Sequence, residues 1–123
     1  MSLEAGIERT DQFTVADRLL TDVGGTIGAR VLSTPGMIGM MERCASILAL
    51  ENLPDGKATV GFEVCVKHVG AAGEGTACTV HARLEEIVEG RKLRFAVEVR
   101  DGERTIGVGT HERRVIDRAA FGS

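Results

Sequence analysis

Three side chains in this 123-residue chain have the chemistry to move protons and hold developing charge: Thr34, Glu42 and His68. Glu42 lies in an apolar stretch, with Ile38, Ala45 and Ala49 beside it at helical spacing. A carboxylate is costly to bury there without a partner, and a buried one suits general-base work. Its ordinary alternative is to face solvent and pair with Ser46 or a nearby arginine. His68 is in phase with Val60, Phe62, Val64 and Val66 and ends their run at a glycine-rich turn. A histidine there either serves the structure or carries protons. Thr34 stands before Pro35-Gly36 and reads first as a helix N-cap, with Pro35 the first helical residue. The same helix start offers unpaired N–H groups and a positive dipole end. Pro35 has no N–H, so Gly36 and Met37 become the expected donors for an oxyanion, and Gly36 allows close approach.

Spacing constrains how the three work together. Eight residues rising 1.5 Å each put Thr34 and Glu42 about 12 Å apart along a helix axis. They do not meet inside one helix. His68, the substrate or a second subunit has to span the gap, which points to a site at a dimer interface.

The elements that position them follow from pattern. The helix runs from Thr34 to about Leu50–Asn52 and stops before Pro54-Asp55-Gly56. Met37, Met40, Met41, Cys44, Ile47 and Leu48 form one stripe, and the opposite side is small and mostly apolar. A helix of that kind is expected to be buried on nearly all sides. Alternation marks strands at Val60–Lys67, Cys78–Glu85, Leu93–Arg100 and Thr105 to about Ile116, with a short strand at Gln12–Ala16 before the helix. Turns fall at Gly70–Gly75, Glu89-Gly90 and Asp101-Gly102. The stretch from Thr21 to Gly28, with three glycines, reads as a loop or lid. Residues 1–10 are read as a flexible lead to a single domain spanning 1–123. The expected fold is α+β, one antiparallel sheet wrapped around one long central helix. Its open edges favour a homodimer, with a tetramer as the larger alternative.

Composition removes several functions. A net charge of −3, with no Trp or Tyr, does not suit a nucleic-acid surface. No apolar run is long enough to span a membrane, and no export signal opens the chain, so a cytoplasmic protein is expected. Cys44, Cys65 and Cys78 lack metal-ligand or paired spacing. They are expected to be buried thiols, with neither a disulfide nor a metal site.

Three segments carry a resemblance. They are Thr34-Pro-Gly-Met-Ile-Gly-Met-Met-Glu42-Arg-Cys, Gly61-Phe-Glu-Val-Cys-Val-Lys-His68 and Gly107-Val-Gly-Thr-His-Glu-Arg113-Arg-Val-Ile. In order and spacing the chain resembles the fluoroacetyl-CoA thioesterase family of hotdog-fold proteins over roughly Phe13 to Ile116. The resemblance implies Thr34, Glu42 and His68 as the catalytic set, with Gly61 and Arg113 binding substrate. It implies a thioesterase acting on an acyl-CoA, with no cofactor beyond the coenzyme A of the substrate. The family's fluoroacetate-resistance enzyme has aromatic residues in the lid before the helix, whereas Leu19–Val31 here has none. A different short or medium acyl group is the expected substrate.

Thioester hydrolysis needs an activated nucleophile and an oxyanion site more than a strong acid, because the leaving thiol is itself fairly acidic. Glu42 would activate water or attack directly, with His68 managing protons. Two other functions use the same fold: an acyl-CoA hydratase or dehydratase, and a non-catalytic acyl-CoA binder. A pure binder has no need of an unpaired carboxylate at position 42. Arg91, Lys92, Arg113 and Arg114 are the cations nearest to hand for coenzyme A phosphates, or are simply solvated strand ends.

Overall fold

The computed structural model describes residues 2–121. Strand β1 covers Glu8–Thr14, and after a single 3-10 turn come the short strands β2 (Leu20–Thr21) and β3 (Val31–Leu32). Helix α1 spans Thr34–Asn52, followed by β4 (Lys57–His68), β5 (Ala77–Val88), β6 (Lys92–Asp101) and β7 (Arg104–Asp117). Five strands form one antiparallel sheet in the order β1-β5-β6-β7-β4, and β2 pairs with β3 as a separate ribbon. None of the described helices is long and apolar enough to cross a membrane.

Alternation in β5 and β6 does what the sequence predicts. Cys78, Val80, Ala82 and Leu84 meet Leu93, Phe95, Val97 and Val99 on one buried face, against Met37, Met41, Cys44, Ala45, Leu48 and Ala49 of α1. Each fully buried side chain of the size of Phe95 or Leu84 contributes about 1.5–3 kcal/mol. Two expectations about this core fail. The helix is buried on one face only, since Gly39, Arg43, Leu50 and Glu51 are exposed. Cys65 is also exposed, while Cys44 and Cys78 are buried.

The lead is partly ordered. Residues 8–10 belong to β1, paired Glu8↔Arg83 through Thr10↔His81, and Gly6 N–H bonds the Leu84 carbonyl. Backbone pairing against β5 orders this polar segment, and its side chains gave no apolar signal of it. The β1 edge is charged: Arg9 bridges Asp11 at 2.9 Å and Glu51 of α1 at 2.7 Å.

The other edge, β4, breaks phase. Its pairing with β7 steps from Gly61↔Arg113 to Glu63↔Glu112, leaving Phe62 as an extra residue. Residues opposite one another on neighbouring strands share a face. Val64 lies opposite His111, and His111 opposite the buried Phe95, so Val64, Val66 and His68 face the helix. Before the bulge it is Gly61 and Thr59 that face inward, while Val60 pairs with Arg114 on the outer surface. The Phe62 ring lies under the Arg114 guanidinium, 3.6 Å from its carbon. Val60 and Phe62 are therefore not in phase with His68, contrary to the simple alternation.

Glycines in β7 let the helix and β4 come close. A Cβ on Gly107 would run into the sulfur of Met37, and one on Gly109 would strike the Cys65 carbonyl and lie 2.6 Å from Val66 Cα. The second obstacle is backbone and cannot rotate away. Gly109→Ala is expected to lower the unfolding free energy by about 1–3 kcal/mol, the usual range for overpacking. Denaturant titration checks this, and an unchanged midpoint would refute the account.

Candidate active site

The helix start is built differently from the sequence expectation. Ser33, not Thr34, is the N-cap: its Oγ accepts from Gly36 N–H at 2.9 Å, and its carbonyl accepts from Met37 N–H at 2.9 Å. Thr34 and Pro35 are the first two helical residues. The Gly36 and Met37 donors assigned to an oxyanion are therefore already used. Thr34's own N–H is left as the first-turn donor without a partner among the described residues. Gly36 has a packing role instead, because a Cβ there would lie 2.8 Å from Ser33 Oγ and 3.2 Å from Leu19 Cα.

With Ser33 capping, the Thr34 hydroxyl is free to reach β4. Its Oγ1 lies 2.8 Å from His68 Nδ1. The opposite ring nitrogen, Nε2, is buried and has no hydrogen-bond partner among the described residues. Leaving such an atom unpaired costs about 1–3 kcal/mol unless a ligand takes it up. If the hydroxyl donates, Nε2 carries the proton; if the ring donates, Nε2 is a base. Beside the ring opens a cleft of about 310 Å³ lined by Val31, Leu32, His68, Val69, Gly70 and Ala71. Its walls are set by bonds from Leu32 N–H to the Ala72 carbonyl and from Glu74 N–H to the Arg30 carbonyl. The preceding glycine stretch is an exposed turn between β2 and β3, with Gly24, Gly25 and Gly28 at positive φ.

Two turns along α1 a second cluster forms. Glu42, 41% exposed, points at β4, where a Cβ on Gly61 would come within 2.9 Å of its Oε2. Arg113, buried on β7, brings Nη1 to 4.0 Å from that oxygen. Thr59 anchors the guanidinium, accepting from Nε at 2.7 Å and, through its carbonyl, from Nη2 at 3.1 Å. Nη1 also lies 3.1 Å from His111 Nε2. Burial pulls the Arg113 pKa below its ordinary value, and the Glu42 charge opposes that shift. The six residues singled out in the sequence thus divide. Thr34, Gly36 and His68 gather at the helix start, whereas Glu42, Gly61 and Arg113 gather near its middle.

The family model for fluoroacetyl-CoA-specific thioesterases, FlK, matches residues 15–119. The chain belongs to this family. A fluoroacetyl-CoA thioesterase of Streptantibioticus cattleyicolor is 40% identical over 91 residues, covering 74% of this chain and 65% of that relative. The match therefore spans a little under two thirds of the relative's length. The crystal structure of FlK superposes with a TM-score of 0.85 at 31% identity, covering 98% of this chain and 93% of that one. A Thermus thermophilus thioesterase superfamily member gives 0.83 at 26% identity, over 95% of this chain and 86% of the other. One helix against a five-stranded antiparallel sheet is the hotdog arrangement these structures share.

Within this family framework, two residues of the second cluster escaped the sequence reading. Thr59 carried no signal. His111, between the polar Thr110 and Glu112, is almost fully buried. The signal was available in its spacing, because His111 and Arg113 share the strand face that holds Gly107 and Gly109. Of the four cations considered for phosphate contact, Arg113 is buried in the cluster and Arg114 bonds Glu112 at 2.8 Å.

The cap assignment has a direct test. Ser33→Ala is expected to cost about 1 kcal/mol of stability, as loss of an N-cap does. Thr34→Ala, which leaves the cap intact, is expected to cost clearly less. Thermal melts of both variants decide it, and the opposite ranking would restore Thr34 as the cap.

Proposed function

We propose that this chain hydrolyses acyl-CoA thioesters to the free acid and coenzyme A, at a site completed by a second copy. The observation that carries the reading is His68, with Nδ1 tied to Thr34 and Nε2 buried and unpaired beside an apolar cleft. Family membership supplies the reaction class. The related FlK has been solved as variants with fluoroacetate and CoA and with acetyl-CoA. Here the acyl group lies in the cleft of Val31, Leu32, Val69 and Ala71, whose walls suit a short or medium chain. The aromatic residues missing from Leu19–Val31 make the fluorinated group an unfavoured one. The reaction needs no metal and no cofactor beyond the coenzyme A of the substrate.

Thr34 at the positive end of α1 receives the thioester carbonyl, and His68 handles the proton. Glu42 activates water or attacks the carbonyl itself, and Arg113 orients it. One chain does not bring these groups together. The helix keeps Thr34 and Glu42 about 12 Å apart, and along β4 His68 and Gly61 are seven residues, about 23 Å, apart. Antiparallel pairing of two β4 edges about their middle would set the partner's Gly61 opposite Val64, four residues from His68. Thr34 and His68 of one protomer then face Glu42 and Arg113 of the other. The open β4 edge, with Val60, Phe62 and Val64 exposed, favours this homodimer.

An acyl-CoA panel read with a thiol-reactive dye tests the activity. Glu42→Gln and His68→Ala are each expected to lower kcat/KM by about 10²–10⁴-fold, as loss of an acid–base group does. Equal rates in all three proteins would remove these assignments. Mixed dimers test the shared site. Half of randomly reassembled dimers pair Glu42→Gln with His68→Ala, and each mixed dimer keeps one intact site, so about a quarter of wild-type activity should return. No recovery in a mixture shown to contain mixed dimers would place the whole site within one chain.

A further inference from the structure

His111 is a buried group for which the mechanism above has no use. Its contacts on the two ring nitrogens are of opposite kinds. Nδ1 lies 2.8 Å from the Glu63 carbonyl, which only accepts, so this nitrogen carries a hydrogen. Nε2 lies 3.1 Å from Arg113 Nη1, which only donates, so this nitrogen offers its lone pair. The ring is therefore neutral, in the Nδ1–H form. Phe95 stacks on it with centroids 6.3 Å apart. The charged side chains facing it are Arg113 from its own strand and Glu42 from α1; β4 presents a carbonyl and β6 the Phe95 ring. A Cβ added at Gly61 would meet all three members of the group, at 2.9 Å from Glu42 Oε2, 3.6 Å from Arg113 Nη1 and 3.7 Å from His111 Cε1.

We propose that His111 is a positioning residue for the thioesterase reaction, holding Arg113 against Glu42 only while its imidazole is neutral. The proposal rests on the functional reading above. Thr59 fixes two corners of the guanidinium, and His111 fixes the third, the nitrogen that faces Glu42. A proton on Nε2 would set two cations 3.1 Å apart and drive Nη1 off the ring, releasing the carboxylate it orients. Burial, with the Arg113 charge, holds the folded pKa of His111 below its ordinary value against the opposing Glu63 carbonyl and Glu42 charge. The neutral, accepting ring is therefore complete above the unfolded value of about 6.5 and is lost as the pH falls through the folded value.

The test compares His111→Phe, which keeps the ring without an acceptor, with His111→Gln, whose amide oxygen takes the place of Nε2. At pH 8, His111→Phe is expected to lose about 10- to 100-fold in kcat, the scale of a small misplacement of a reacting group. His111→Gln should recover most of that loss and should lack the His111 limb of the acid pH profile. In an Arg113→Ala background, His111→Phe should add no further loss, because it acts through Arg113. A folded His111→Phe protein with wild-type kcat, or a loss fully additive to Arg113→Ala, would overturn the proposal. A readout independent of activity is proton exchange at Arg113 Nη1, the nitrogen His111 holds, together with the imidazole nitrogen spectrum. Slow exchange in wild type and His111→Gln, faster exchange in His111→Phe, and an Nδ1–H ring are expected. Unchanged exchange, or an Nε2–H ring, would overturn the positioning role even if no acyl-CoA proved to be a substrate.

Discussion

Which side chains of β4 can meet the helix depends on the extra residue at Phe62. A strand alternates strictly, so a single insertion exchanges the faces of everything on one side of it. Here the exchange turns Val60 and Phe62 outward, turns Gly61 and Thr59 inward, and leaves Val64, Val66 and His68 facing α1. Without it, Gly61 would face away from Glu42, and a bulky residue would occupy the space where Glu42, Arg113 and His111 converge. The bulge also places Glu63 where its carbonyl meets His111 Nδ1. Both clusters on α1 thus take their geometry from one irregularity in the edge strand that faces them.

Much of this was legible in the residues, for physical reasons that can be named. The buried faces of β5 and β6 read directly as alternation, because both strands have a core on one side and solvent on the other. The helix announced itself through Ser33-Thr34-Pro35 and ended ahead of Pro54. The errors share a cause as well. The bulge at Phe62 leaves no composition mark, so Val60 to His68 reads as one continuous period. Strand β1 starts earlier than alternation predicts because Glu8, Arg9 and Thr10 are held by backbone pairing with β5, not by burial. Ser33 and Thr34 are both competent caps, and only the reach of Thr34 toward His68 separates them.

The candidate site was legible as a set of residues and not as an arrangement. Spacing along the helix already said that Thr34 and Glu42 do not meet, and the structure keeps them in separate clusters. It also transfers the Gly36 and Met37 N–H groups from the substrate to the helix cap. His111 was the harder case. A histidine between a threonine and a glutamate looks like a polar strand end, and only its two-residue spacing from Gly109 and Arg113 marks it as inward-facing.

The two edges of the sheet differ in a way that bears on how far copies of this chain can associate. The β1 edge is studded with charge, with Arg9 bridging Asp11 and Glu51, whereas the open β4 edge exposes Val60, Phe62 and Val64 at its middle. A sheet with two sticky margins can recruit neighbours without limit, and that is how fibres grow. A sheet with one sticky margin can satisfy it only against its own kind, and the union leaves two charged margins facing water. Growth ends there. The asymmetry between the two edges would therefore act as a built-in stop on polymerisation.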